Sequence, residues 1–196
     1  MILQVDKLHW LSHMNEQQDL CAHGAVEVQI GEDILDAGQE ARWCVSAAAL
    51  YLLRTLTADH TQDAPVGEHL IPCCGHTLYR QGREADVVIT GCPNGLDWEI
   101  RHRDSTVLFR TPNGREEQIT LIEWQQKVVT FADTVELFYK TSVPKHSRMI
   151  HMMQQVTLHF GPNGHAVTLN HSHSDFSFKQ NNAAGAIMIG DLICWF

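Results

Sequence analysis

Apolar and polar positions alternate over much of this chain. Ile2–Val5 and Val26–Ile30 read as strands with one buried face, and Gly31-Glu32-Asp33 follows the second as a turn. Pro-Asn-Gly occurs three times, at 93–95, 112–114 and 162–164. Proline presets φ at the first corner of a turn, and Asn and Gly tolerate the left-handed conformation that tight hairpins need. The flanks of the three copies are strand-like but dissimilar, so they predict three strand-end turns and not an internal repeat. The first is expected to join Asp86–Gly91 to Leu96–Arg103, and a turn at Asp104-Ser105 leads on into Thr106–Thr111, giving a meander of at least three strands. The third predicts a register: Phe160 opposite His165, Leu158 opposite Val167 and Val156 opposite Leu169, with the apolar members on one face.

Two segments switch to a helical period. Ser46 is placed to cap a helix over Ala47–Asp59, whose Ala-Ala-Ala-Leu-Tyr-Leu-Leu run is apolar almost all round. The second helix carries a full start signature. Thr120 and Glu123 match the capping box, and Ile119 and Trp124 occupy the two positions of a hydrophobic staple. A stripe follows through Ile122, Val128, Val129, Ala132, Val135, Phe138 and Tyr139, and Pro144 stops the helix near Ser142. The expected fold is α+β: an antiparallel meander and hairpin sheet covered by two amphipathic helices, with a C-terminal β-hairpin section. Residues 1–196 form one domain, and 146–196 extend the same sheet, ending in an apolar strand over Ala186–Phe196.

Composition narrows the class of function. The 196 residues are 44% hydrophobic, enough to build one sizeable core. Fourteen Lys and Arg against 23 Asp and Glu give a net charge of −9, which repels a phosphate backbone and disfavours nucleic-acid binding. It favours a basic protein partner, as in an immunity-type protein that neutralises a toxin. The first 14 residues, with Asp6 and Lys7 among them, do not read as a secretory signal, and no apolar run approaches the ~18 residues of a membrane span. The expected compartment is the reducing cytoplasm. Six cysteines at 21, 44, 73, 74, 92 and 194 are too sparse for a disulfide scaffold, leaving free buried thiols or a metal site.

The metal option centres on Cys73-Cys74-Gly75-His76 and on Cys92. Cys73 and His76 have Cys-x-x-His spacing, which a tight turn at Gly75 can fold onto one tetrahedral zinc ion. Cys92 precedes a Pro-Asn-Gly turn and adds a thiolate, with Cys74 as an alternate. A fourth donor could come from His60, His69, His102 or the Cys21/His23 pair. The second Cys-x-x-Cys pair of a zinc ribbon is incomplete, because Gly95 stands where its partner would be. The same cysteines can be read as small buried hydrophobes, or Cys74 as a nucleophile activated by His69 or His76, with Asp97 or Glu99 orienting the imidazole.

A second metal candidate is His171-Ser172-His173-Ser174-Asp175. On a strand His171, His173 and Asp175 share a face and could hold a divalent ion. The string resembles the His-x-His-x-Asp-His motif of metallo-β-lactamase-fold hydrolases. It departs from that motif at Phe176, and the 20 residues after it cannot supply the later ligands and strands, so the family is not adopted. Asp97 and Glu99, flanking Trp98, could act as an acid–base pair or form an outward acidic face around a buried indole. Phosphate-cradling glycine motifs and the common hydrolase signatures are missing from the sequence. The function expected first is a non-enzymatic binding protein with a structural zinc. A metal- or cysteine-dependent enzyme using Cys73, Cys74, His76 and Cys92 is the competing class. Oligomeric state is not legible.

Overall fold

The structure is a computed structural model that describes residues 1–19, 21–74, 77–80, 87–143, 156–158, 167–169, 179–181 and 186–188. Antiparallel strands and two helices make it a mixed α+β protein, as the patterning predicts. The N-terminal part contains β1 (Ile2–His9), β2 (His23–Ile30), β3 (Asp33–Ala37), β4 (Trp43–Cys44) and α1 (Val45–Arg54). The middle contains β5 (Ile71–Pro72), β6 (Thr77–Arg80), β7 (Val87–Thr90), β8 (Gly95–Leu96), β9 (Glu99–Arg103), β10 (Thr106–Arg110), β11 (Glu116–Thr120) and α2 (Leu121–Thr141). Four short strands follow: β12 (Val156–Leu158), β13 (Val167–Leu169), β14 (Lys179–Asn181) and β15 (Ala186–Met188).

The strands do not form the single meander expected. β2 pairs with β1 along one edge and with β3 and β4 along the other. A separate sheet runs β11-β10-β9, and β5–β8, β6–β7, β12–β13 and β14–β15 are two-stranded. Among the described residues, three of the predicted turns are hairpins. Asp104-Ser105 joins β9 to β10, with Arg103 opposite Thr106. Gly31, at φ +60°, turns β2 into β3. In the second Pro-Asn-Gly, Gly114 takes φ +82° between β10 and β11. Of the register predicted around the third copy, Val156 opposite Leu169 and Leu158 opposite Val167 are present, while Phe160 and His165 lie outside the described residues. The first copy departs from expectation. β7 pairs with β6, not β9, and the chain after Gly95 pairs back with β5. A turn tripeptide specifies a reversal but not which strand receives the returning chain.

α2 follows its sequence signature closely. Thr120 accepts from the Glu123 amide at 3.2 Å, and the Glu123 carboxylate accepts from the Thr120 amide at 2.9 Å. Trp124, Val128, Phe131, Ala132 and Val135 are buried, while Ile122 at the start of the expected stripe is exposed. Trp124 meets Phe109 edge to face at 5.0 Å, and its Nε1–H donates to the Thr55 hydroxyl at 3.2 Å, closing the end of α1.

α1 is corrected at its bounds and at its cap. It starts at Val45 and ends at Arg54, earlier at both ends than expected. Every residue from Val45 to Leu53 is buried, so it is the central helix that an all-round apolar run implies. Ser46 caps nothing: its hydroxyl accepts from the Ala22 amide at 2.9 Å and bonds the Tyr139 hydroxyl at 2.7 Å. The Val45 amide, an orphan in an isolated helix, donates instead to the Ala22 carbonyl. Tertiary partners thus replace the local cap.

The expectation of free thiols at Cys21 and Cys44 is also overturned. The two form a disulfide with Cα atoms 6.5 Å apart, within the span such a bridge requires. It lies in the core, tying the entry to β2 to the N-terminus of α1. Among the described residues, no helix is long and apolar enough to cross a membrane.

Candidate metal centre

Leu70 and Ile71 are fully buried and anchor β5 in the core. Trp98 and Ile100, also buried, anchor the chain leaving β8. Between these anchors Ile71 pairs with Leu96 and Pro72 with Gly95. The backbones approach so closely that a Cβ at Gly95 would overlap the Ile71 carbonyl oxygen and lie 2.8 Å from His69 Cβ. Glycine at 95 is therefore what lets the third residue after Cys92 sit against β5.

The pairing carries the cysteines together. The Cys73 amide donates to the Asn94 carbonyl at 2.9 Å, and the Cys92 amide to the Cys74 carbonyl at 3.4 Å. Cys73 Sγ then lies 3.1 Å from Cys92 Sγ and 3.4 Å from Cys74 Sγ, and all three sulfurs fall within 4.8 Å of one another. A tetrahedral zinc with Zn–S of ~2.3 Å holds its sulfurs about 3.8 Å apart, inside that range. Cys74 is exposed and Cys73 and Cys92 are half-buried, so an ion can reach the site from solvent. Thiolates select soft or borderline ions such as zinc and monovalent copper. The three cysteines could therefore hold a metal ion.

The three thiols are not equivalent. Cys73 donates to Cys92, and that bond, with burial and the neighbouring Cys74 sulfur, holds the Cys73 thiol well above its usual value. The same bond holds Cys92 below its usual value, helped by the Asn94 amide and by Asn94 Nδ2, which donates to the sulfur at 3.3 Å. The hydrogen bonds thus polarise the cluster in one direction, with Cys73 as the S–H donor and Cys92 as the acceptor.

The other donors named from the sequence divide into those the structure describes and those it does not. His76 and the set His171, His173 and Asp175 lie outside the described residues. His60, His69, His102 and His23 are not in the sulfur cluster, and Cys21 is committed to its disulfide. His60 is buried with both ring nitrogens engaged. Nδ1 accepts from the Val66 amide at 3.1 Å, which leaves Nε2 to donate to Asp97 at 2.9 Å. Asp97 also accepts from the Leu70 amide at 3.1 Å, so it fixes the approach to β5. Glu99 pairs with Arg101 at 3.3 Å. Asp97 and Glu99 are thus structural ties beside a buried Trp98, although both line an open groove of about 380 Å³ with His60 and Arg110. His102 is held by Asp59 at 2.9 Å.

The His60–Asp97 pair and the sulfur-directed Asn94 went unrecognised in the sequence. Asn94 carried a signal, since Cys-Pro-Asn-Gly puts an amide two residues after a thiol. No such spacing connects positions 60 and 97. Compared with known proteins, the chain matches no family model, no curated protein and no solved structure.

Proposed function

We propose that this chain is a binding protein in which Cys73, Cys74 and Cys92 hold one zinc ion as a structural clasp between the β5 and β8 segments. The observation that carries the reading is the convergence of three sulfurs within 4.8 Å at a surface corner, close enough to share one ion. His76, three residues after Cys73, is the fourth donor that spacing offers. A closed four-ligand site is structural, whereas a catalytic zinc keeps an open position. Unprotected thiols 3.1 Å apart would be prone to pair, and a bound ion shields them. The net charge of −9 favours a basic protein as the partner.

The competing reading, a cysteine-dependent enzyme, has the lowered Cys92 thiol in its favour. Against it, no imidazole joins the thiols among the described residues, and His60, Asp97 and Glu99 are occupied by structural contacts.

Metal analysis of the full chain, purified without a histidine tag, tests the proposal. One zinc per chain is expected, lost on chelation and lost in the Cys73→Ser/Cys92→Ser double variant. A chain that binds no zinc after reduction and anaerobic reconstitution overturns it. A further test is His76→Ala: a four-ligand clasp weakens its hold on zinc by at least about tenfold, ~1.4 kcal/mol, while a three-ligand site is unchanged.

A further inference from the structure

We propose that Cys73 and Cys92 are a reversible oxidation site that closes into a disulfide and expels the ion. The proposal rests on the metal reading above and supplies the regulation of that site. The Cys73 and Cys92 sulfurs approach more closely than those of Cys73 and Cys74, at 3.1 Å against 3.4 Å. Cys73 and Cys74 are chain neighbours, with Cα atoms ~3.8 Å apart, below the ~4.4 Å lower limit for a relaxed disulfide. Cys73 and Cys92 come from opposite sides of the β5–β8 pairing, and their sulfurs are already 3.1 Å apart. A bond of about 2.05 Å needs an approach of only about 1 Å. Two backbone hydrogen bonds, from Cys73 to Asn94 and from Cys92 to Cys74, hold the segments on either side. Cys74 is the exposed member and stands outside that pair.

The oxidant is a low-molecular-weight disulfide, RSSR. Cys92 sulfur, which accepts from Cys73 and from Asn94 Nδ2, is placed to attack one sulfur of RSSR and form Cys92–S–S–R, releasing RS⁻. Cys73 sulfur then attacks Cys92 sulfur, the mixed disulfide breaks and a second RS⁻ leaves. The two cysteines lose two electrons to RSSR. From the metal-free pair two RSH leave with the thiol protons; from the zinc-bound thiolates two RS⁻ and the zinc ion leave. Only Cys74 then remains as a thiolate donor of the three, too few to retain a tetrahedral zinc. A dithiol reductant reverses the sequence. Cys21–Cys44 takes no part, being already bridged and buried.

The experiment uses the full zinc-loaded chain, treated with oxidised glutathione under anaerobic conditions. Peptide mapping without reduction reads the cross-link, and a chromophoric chelator reads zinc release. The expected result is a Cys73–Cys92 cross-link with one zinc released per link, both reversed by dithiothreitol. Cys74→Ser should still form the link, while Cys92→Ser should yield none. Glutathione adducts on Cys74 alone, or links scattered among all three cysteines, overturn the proposal. The two readings fail separately: a Cys73–Cys92 link in a chain that never binds zinc removes the clasp but keeps the oxidation site. Zinc binding with no link does the reverse.

Discussion

Two cysteine sites in this chain show opposite uses of the same side chain. Cys21 and Cys44 lie in the core, joined, with β2, β4 and α1 around them. Cys73, Cys74 and Cys92 meet at a surface corner and stay as thiols. At the first, the neighbours are apolar or satisfied: Ala22 lends its carbonyl to Val45 and its amide to Ser46. At the second, they are hydrogen-bond donors aimed at sulfur, from Asn94 and from Cys73 itself. Burial makes the first inert. Exposure and the convergence of sulfurs leave the second able to hold a metal ion.

The largest effect that would separate the two sites comes from the disulfide. Replacing both Cys21 and Cys44 by Ala should cost about 3 kcal/mol, the loop-closure term for a bridge over a separation of 23 residues. Zinc stoichiometry should remain one. Urea unfolding with metal analysis checks both, and loss of zinc in this variant would show that the sites are coupled.

Next is Gly95→Ala, whose methyl would overlap the Ile71 carbonyl and force β8 from β5. A cost of roughly 2 kcal/mol is expected from such overpacking, together with a fall in zinc affinity, since the same pairing brings Cys92 to Cys73. Isothermal titration with zinc and thermal unfolding measure the two effects; unchanged affinity would mean that the pairing does not position the thiols.

A smaller stability change is expected for Cys92→Ser. Because Cys92 is half-buried and at the surface corner, the metal-free variant should lose under about 1 kcal/mol, as surface substitutions usually do. Its zinc affinity should nevertheless fall by more than tenfold.

The smallest effect is the acid response of the disulfide region. Burial holds His23 below its usual value, opposed by Asp19 and reinforced by His9, and its Nδ1 has no hydrogen-bond partner. The native state therefore favours neutral His23. Its contribution is fully present above the unfolded value near 6.5 and is lost as pH falls from there through the lower folded value. The melting temperature should drop between pH 7 and 5, and His23→Gln should flatten part of that drop. Identical pH profiles for the two proteins would remove His23 from the account.

Legibility followed sequence distance. The capping box of α2 spans Thr120 to Glu123, and the β10–β11 turn spans Thr111 to Arg115, so each could be read from adjacent residues. Ser46 misled because its hydroxyl has two long-range partners, Ala22 and Tyr139, and these outcompete a local cap. Composition alone indicated too few cysteines for a disulfide scaffold, yet a single bridge needs only two cysteines that the fold brings close. For the metal cluster, the residue types and the turn after Cys92 were visible, but not the partner strand that brings Cys92 to Cys73.

What the residues by themselves determined is the set of pieces: α2 with both its ends, the alternating strands, the β10–β11 hairpin and the β12–β13 register. These depend on hydrogen bonds and side-chain periods that close within a few turns of chain. Only the tertiary structure decided that β8 returns to β5, that Cys21 finds Cys44, and that three thiols share one corner. Those outcomes depend on which buried surfaces meet, a choice made by the whole core at once and encoded in no single segment.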